Sequence, residues 1–182
     1  MVSDMESTNG NGNGSTHTIS LLVENKPGVL HRIAGLFSRR GYNIASLTVG
    51  PTERPEYSRM TIVVRLSSKT VEQVVRQVQK LIPVVEVREL AHQDLLEREL
   101  MLVKIKTPEK NHAELKALAE TYEAVIVDVS PQSLVVEATG NAGKLDALEE
   151  RLRGYGIQEI CRSGRIALER GFKTLAPPVM KP

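Results

Sequence analysis

The residues whose types and spacing best suit binding chemistry lie in one short turn, Asn25-Lys-Pro-Gly28. A helix is predicted to follow, and its first N–H groups have no intrahelical partner and carry partial positive charge. Such a helix start can hold a small anion, for example the carboxylate of an amino acid. Asn25 adds an amide donor and acceptor, and Gly28 leaves the backbone accessible. From the spacing alone, a simpler interpretation is favoured, in which Asn25 caps the helix and Gly28 permits the turn.

Two patterns place this turn between a strand and a helix. Apolar and more polar residues alternate from about residue 18 to the turn, as in a half-buried strand. After the turn, apolar residues recur at helical spacing and would form one stripe: Leu30, Ile33, Ala34 and Phe37. Gly41 is a suitable residue to end that helix. The turn is therefore expected at the end of a strand and the start of a helix.

The same periodicities recur along residues 17–91 and predict the element order βαββαβ. A second strand is expected over residues 43–49, with an apolar face formed by Ala45, Leu47 and Val49. Further strands are expected over residues 57–66 and 84–90. Between these two strands, Thr70-Val-Glu-Gln73 has the pattern of a capping box that opens a second helix. That helix would bury one face, formed by Val71, Val74, Val75, Val78, Leu81 and Ile82.

A second unit with the same element order follows over residues 99–170, after a charged linker at residues 92–98. Thr107-Pro108 is expected to open its first helix, and Asn141 is expected to cap its second. The inner side of the second helix would be formed by Leu145, Leu148 and Leu152. A final strand is expected over residues 157–168. The predicted fold class is therefore α+β, with two tandem ferredoxin-like βαββαβ units.

The crossovers of such a unit place both helices on one face of its sheet. The other face must be covered by another element or remain partly hydrated. In the first unit this second face would be small and mixed in polarity: Ser20, Leu22, Ser46, Thr48, Thr61 and Val63. Residues 1–16 include a Ser/Thr/Asn/Gly run and are predicted to form a disordered tail. Residues 171–182 are expected to form a short flexible tail.

The composition argues against several classes of function. The chain has 24 Lys and Arg against 22 Asp and Glu, and only 3% aromatic residues, so we do not expect nucleic-acid binding. The single cysteine, Cys161, cannot form an intrachain disulfide or a Cys-x-x-Cys metal site. The sequence has no apolar run of membrane-spanning length and no signal-peptide pattern, so a cytoplasmic location is expected. No nucleophile is paired with a base, so we expect no catalytic residues and no metal site.

Six runs of sequence occur together in an order that is specific as a set, although each is weak alone. They are Leu22-Val-Glu-Asn-Lys-Pro-Gly-Val-Leu30, Gly35-Leu-Phe-Ser-Arg-Arg-Gly-Tyr-Asn-Ile-Ala-Ser-Leu-Thr-Val49, Ser58-Arg-Met-Thr-Ile62, Glu97-Arg-Glu-Leu-Met-Leu-Val-Lys-Ile105, Gly143-Lys-Leu-Asp-Ala147 and Ser163-Gly-Arg-Ile-Ala-Leu168. Residues 17–91 resemble an ACT domain, a small-molecule sensor module. The whole set resembles the small regulatory subunits of acetolactate (acetohydroxyacid) synthase over about residues 17–172.

This resemblance implies a non-catalytic subunit that acts in branched-chain amino-acid biosynthesis. Its partner would be a catalytic large subunit, which carries thiamine diphosphate, magnesium and FAD. The small subunit would activate that partner and confer feedback inhibition, usually by valine. ACT units typically pair side by side, so the resemblance also implies a homodimer with effector sites at its interface. The alternative is a stand-alone ACT-type amino-acid sensor, which would have no evident use for the second unit.

The resemblance carries three effector-binding residues onto this chain: Asn25, Gly28 and Asn43. Because the resemblance implies effector sites at the interface of paired ACT units, Asn43 could act from the neighbouring chain of the dimer. The effector carboxylate would meet the N–H groups around Gly28, Val29 and Leu30. An aliphatic effector side chain needs an apolar pocket, for which Leu30 and Ile44 are the candidates.

Overall fold

The structure is a computed structural model that describes residues 14–176. The first unit contains six elements: β1 (Ser15–Glu24), α1 (Val29–Arg39), β2 (Ile44–Pro51), β3 (Tyr57–Leu66), α2 (Ser68–Val78) and β4 (Val84–Leu90). Its four strands form an antiparallel sheet in the order β2-β3-β1-β4. This is the predicted βαββαβ arrangement, and it leaves β2 and β4 at the edges of the sheet.

The second unit repeats this arrangement and adds one strand. Its elements are β5 (Leu95–Lys106), α3 (His112–Thr121), β6 (Val125–Ser130), β7 (Ser133–Gly140), α4 (Ala142–Arg153), β8 (Ile157–Arg162) and β9 (Ile166–Glu169). The main sheet has the order β6-β7-β5-β8, and β9 pairs with the first part of β5. The α+β class with two tandem ferredoxin-like units is therefore confirmed.

Each unit has its own apolar core between its sheet and its helices. In the first unit the core includes Ile19, Leu21, Ile33, Phe37, Met60 and Ile62. In the second unit it includes Met101, Val103, Ile105, Leu115, Leu145 and Leu148. The predicted cap of α4 is confirmed, because Asn141 Oδ1 accepts a hydrogen bond from Lys144 N–H at 2.9 Å.

The predicted apolar face of β2 is wrong at Ala45, whereas Leu47 and Val49 lie on one face, opposite the core residues Ile62 and Met60. The register between β2 and β3 shifts between Ile44 and Ser46, which is the signature of a bulge. An extra residue breaks the period-2 alternation, so Ile44 and Leu47 both pack against the core. Ala45 is exposed along the edge of the sheet instead, and Val49 remains on the face of Leu47 but is about half exposed.

Both predicted helix starts that rested on Thr also change. The cap of α2 is Ser67, whose side chain accepts from Thr70 N–H, so Thr70 lies inside the first turn. Because α2 ends at Val78, Ile82 falls in the following turn and is exposed rather than buried. Thr107 is buried without a hydrogen bond from its hydroxyl, and α3 begins five residues later, after a helical turn at Glu109–Asn111.

The predicted final strand, over residues 157–168, differs most from expectation. The chain turns at Gly164, and two separate strands, β8 and β9, take the place of the single one. β9 and the start of β5 form a two-stranded ribbon that lies against the second face of the first sheet. Arg165 N–H donates to Ser46 Oγ at 2.9 Å, and Thr48 Oγ1 donates to Arg165 O at 2.7 Å. The two units are thus joined by hydrogen bonds between side-chain hydroxyls of β2 and the backbone of Arg165, as well as by the chain between β4 and β5.

This contact buries the second face of the first sheet, including Ser20, Leu22, Thr61 and Val63. The predicted domain limits shift as a result. Leu95–Arg98 is part of a strand rather than a linker, and Ser15 and Thr16 already belong to β1. Leu175, in the predicted flexible tail, is buried. Residues 1–13 and 177–182 of the two predicted tails lie outside the described residues.

Gly164 permits the close approach between the units. It has φ +78°, and a Cβ at this position would lie 2.8 Å from Ser46 Oγ and 3.0 Å from Thr48 Cγ2. We expect Gly164→Ala to lower the free energy of unfolding by about 2–4 kcal/mol, through left-handed strain combined with overpacking.

The matched control is Gly171→Ala, because Gly171 has φ +80° but open space around it. Strain alone should cost about 1–2 kcal/mol there. Urea denaturation of the full chain measures both variants. Equal effects of the two substitutions would contradict a tight contact at Gly164.

An ion pair also joins the two units. Arg88 Nη1, in β4, donates to Glu169 Oε2 at 2.7 Å, and Lys173 Nζ lies 3.1 Å from Glu169 Oε1. The hydrogen bond from Arg88, supported by Lys173, lowers the pKa of the Glu169 carboxyl below its ordinary value of 4.5. A carboxyl with a lowered pKa in the folded state stabilises the fold above its unfolded pKa. That stabilisation is lost as the pH falls through the folded value.

We therefore expect Glu169→Gln to be less stable than the wild type at pH 7. The difference should shrink as the pH falls below about 4.5, where the wild-type carboxyl also becomes protonated. Urea midpoints of both proteins at several pH values measure this, with the exposed Glu53→Gln as the control. A difference that stayed constant from pH 7 to pH 3 would rule out this contribution from Glu169.

Candidate functional site

The turn before α1 is built on a glycine in the left-handed region. Gly28 occupies the N-cap position with φ 81° and ψ −8°, and no side chain caps the helix. A Cβ added at Gly28 would meet nothing within 4 Å, so the backbone there is open to an incoming molecule. Both properties favour glycine, the first for its conformation and the second for access.

Asn25 does not cap the helix, which makes the simpler interpretation of this residue wrong. Its side-chain Nδ2 donates to Pro55 O at 2.9 Å, and its backbone N–H donates to Glu56 O at 2.7 Å. Asn25 therefore fixes the turn against the loop between β2 and β3. Its side-chain oxygen has no hydrogen-bond partner within residues 14–176, so it remains available as an acceptor.

The helix start offers free hydrogen-bond donors. Val29 N–H makes a long contact of 3.4 Å with Lys26 O, and the intrahelical bonds begin where Arg32 N–H donates to Gly28 O at 3.1 Å. Between them, the N–H groups of Leu30 and His31 have no partner in the described chain. No acidic residue lies in this first turn. These donors and the helix dipole together favour an anion.

The predicted apolar residues have different roles. The Val29 side chain is buried in the core, so only its backbone belongs to the site. The Leu30 side chain is 41% exposed beside the turn and can contact an aliphatic ligand. Ile44 packs against the core instead.

Asn43 and Ile44 lie at the far end of α1 from the turn. The helix has 11 residues, so about 16 Å separates its two ends. Asn43 is exposed. A single chain therefore brings Asn25, Gly28, Val29 and Leu30 together but not Asn43 and Ile44. Three further backbone groups of the site were not predicted: His31 N–H, Pro55 O and Glu56 O. Their only signals in the sequence are their places in a helix start and in a proline-containing loop.

Two family models match the chain in succession. Residues 19–86 match the ACT domain of acetohydroxyacid synthase small subunits and similar proteins, and residues 98–171 match the small subunit of acetolactate synthase. Relatives align across both units. The acetolactate synthase small subunit of Mycobacterium bovis is 49% identical over 156 residues, which cover 86% of this chain and 93% of that protein. The chain belongs to the acetolactate synthase small subunit family.

Two further members support this assignment. The acetolactate synthase small subunit of Mycolicibacterium smegmatis is 46% identical over 86% of this chain and 92% of its own length. The crystal structure of the small subunit from Thermotoga maritima superposes with a TM-score of 0.81 at 38% identity. The match covers 87% of this chain and 99% of that one.

As an acetolactate synthase small subunit, the chain is a non-catalytic regulatory subunit whose partner is a catalytic large subunit. This family assignment disfavours the stand-alone sensor. Across residues 14–176, no group of three or more His, Cys, Asp or Glu side chains is arranged to hold a metal. None of the helices in the same range is long and apolar enough to cross a bilayer.

Asn25 and Asn43 should differ in their importance for the fold of one subunit. We expect Asn25→Ala to lower the free energy of unfolding by about 1 kcal/mol, because it removes the hydrogen bond to Pro55 O. Asn43→Ala should have little effect, because Asn43 is exposed and makes no side-chain hydrogen bond in the described chain. Urea denaturation measures both, and a larger effect at Asn43 would contradict this division.

Proposed function

We propose that this small subunit activates the catalytic large subunit of acetolactate synthase and makes it sensitive to feedback inhibition by valine or a related branched-chain amino acid. The observation that carries the proposal is the open turn at Gly28. There the free N–H groups of Leu30 and His31 can receive a carboxylate. Asn25 Oδ1 can accept from the effector ammonium, and Leu30 can contact its aliphatic side chain.

A homodimer would complete this site. β2 lies at the open edge of its sheet and pairs only with β3, so a second ACT domain can add along it. Asn43 directly precedes this edge strand. Because Asn43 is too far from Gly28 within one chain, it would contribute from the neighbouring subunit. Ala45, which is exposed along the same edge, would then become covered.

The mechanism is a shift between two arrangements of the dimer. An effector bound between two ACT domains favours one arrangement only if it binds that arrangement more tightly. A tenfold difference in affinity corresponds to about 1.4 kcal/mol, which lies within the usual range of allosteric coupling. The catalytic subunit, which we expect to carry thiamine diphosphate, magnesium and FAD, would respond to the arrangement.

The test is an activity assay of the purified large subunit alone, with this protein, and with this protein plus valine, leucine or isoleucine. Stimulation that one amino acid reverses is the expected result, and it would identify the effector. No stimulation and no association between the two subunits would refute the activating role.

Gly28→Asp should abolish feedback inhibition while activation survives. The new carboxylate would stand where the effector carboxylate binds and would repel it. We expect the concentration of effector for half-inhibition to rise more than tenfold, measured in the same assay. A Gly28→Asp protein that kept its full sensitivity would place the effector elsewhere.

Two controls separate charge from backbone strain. Gly28→Ala carries the same φ strain in the same open space but adds no charge. Gly171→Asp adds the same charge at another open glycine with positive φ, far along the chain from the turn. Both controls should keep most of the sensitivity to the effector.

A further inference from the structure

A second concave site lies where the two units meet, on the side of the first sheet that faces away from its helices. This joint cavity has a volume of about 370 Å³ and lies between the first sheet and the β5–β9 ribbon. Its main lining residues are Val49, Arg59, Thr61, Leu96, Arg98 and Leu168. It shares no residue with the Gly28 turn.

The walls of the joint cavity are mostly aliphatic. Val49 comes from the edge of the first sheet, and Leu96, Ile166 and Leu168 come from the ribbon. These four side chains are 39–62% exposed because the cavity is open to solvent on one side. Exposed aliphatic side chains gathered around one concavity are typical of a binding site.

Two arginines give the joint cavity its charge. Arg59 and Arg98 both line it, and no Asp or Glu does. Neither guanidinium lies within 4 Å of a carboxylate elsewhere in the described chain. Arg59 donates to Leu175 O at 3.0 Å, and Arg98 donates to Glu97 O at 2.8 Å. Since a guanidinium has five N–H donors, both arginines retain donors for an anion.

Thr61 adds a hydroxyl to the lining. The residue is only 3% exposed, it lines the joint cavity, and its hydroxyl makes no hydrogen bond to another described residue. Beside it on β1, the fully buried Ser20 Oγ also lacks a partner in the described chain. A hydroxyl without a protein partner can hydrogen-bond to a bound molecule, so Thr61 is suited to a polar atom of a ligand.

The donor set selects among ligands. A carboxylate suits the two guanidinium groups, and a short branched chain suits the aliphatic walls. An ammonium group would find no carboxylate counter-charge in the lining, unlike at the Gly28 turn, where Asn25 supplies an acceptor. A carbonyl or hydroxyl oxygen beside the carboxylate could instead accept from Thr61.

We propose that the joint cavity is a second small-molecule site, which binds branched-chain 2-oxo or 2-hydroxy carboxylates in preference to amino acids. A ligand there would contact both units at once, through Arg59 and Thr61 on one side and Arg98 and Leu168 on the other. A bound ligand would therefore favour one relative position of the two units. This site would report on carboxylates that lack the amino group, separately from the amino acid sensed at Gly28.

Calorimetric titration of the full chain tests this with three probes that share an isopropyl group: 3-methyl-2-oxobutanoate, L-valine and the neutral ketone 3-methyl-2-butanone. We expect the oxo acid to bind to Gly28→Asp as well as to the wild type, whereas valine binding should be lost in that variant. Arg98→Gln should weaken oxo-acid binding about tenfold or more, because one charge-assisted contact is removed. The neutral ketone lacks the carboxylate altogether, so its affinity for the wild type should be no higher than the affinity of the oxo acid for Arg98→Gln.

Arg170→Gln is the matched control, because Arg170 is exposed near β9 but does not line the cavity. It should leave oxo-acid binding unchanged. The proposal is overturned if the oxo acid fails to saturate the wild type at millimolar concentration, or if Arg98→Gln and Arg170→Gln bind it equally well. Loss of oxo-acid binding in Gly28→Asp would also overturn it. The proposal is also overturned if Arg98→Gln weakens association with the large subunit but leaves oxo-acid binding unchanged. The cavity would then be a contact surface for that subunit.

Discussion

Two hydrogen bonds to one residue, Arg165, determine how the two units are arranged. Its N–H donates to Ser46 and its carbonyl accepts from Thr48. These two bonds fix the position of the ribbon along β2 of the first sheet. A sheet with helices on one side only would leave Leu22 and Val63 in water. The ribbon instead provides a third layer, and the joint cavity and the Arg88–Glu169 pair exist because of it.

The protein consequently presents two candidate sites with different donor and acceptor sets. The turn at Gly28 combines free backbone N–H groups with the acceptor oxygen of Asn25, which suits a zwitterion. The joint cavity offers guanidinium groups and a hydroxyl without any carboxylate, which suits a simple anion with an aliphatic body. In the proposed dimer a second subunit would complete the first candidate site, whereas the second lies between the units of a single chain.

Local sequence patterns predicted most of the fold, and the failures have physical causes. The strand and helix periodicities and the Asn141 cap depend on neighbouring residues, so they were predictable. Ser67 and Thr70 both fit a capping pattern. Ser67 is the cap because its backbone is extended, whereas Thr70 already lies in the helix. The bulge at Ala45 and the burial of Leu175 depend on contacts with distant residues. For the site, the Gly28 turn was local and predictable, whereas the distance to Asn43 and the joint cavity follow from tertiary packing.

β5 belongs to both parts of this architecture. Its first four residues pair with β9 in the ribbon, and the rest forms the centre of the second sheet between β7 and β8. A strand of 12 residues is about 40 Å long, and β5 runs without a break from the ribbon into the second sheet, with one register shift against β8 between Lys104 and Ile105. A tilt of β5 by about 5° at the ribbon would therefore move its far end, in the second sheet, by about 3 Å. A small movement of the ribbon against the first sheet would in this way produce a larger movement at the opposite end of the second unit.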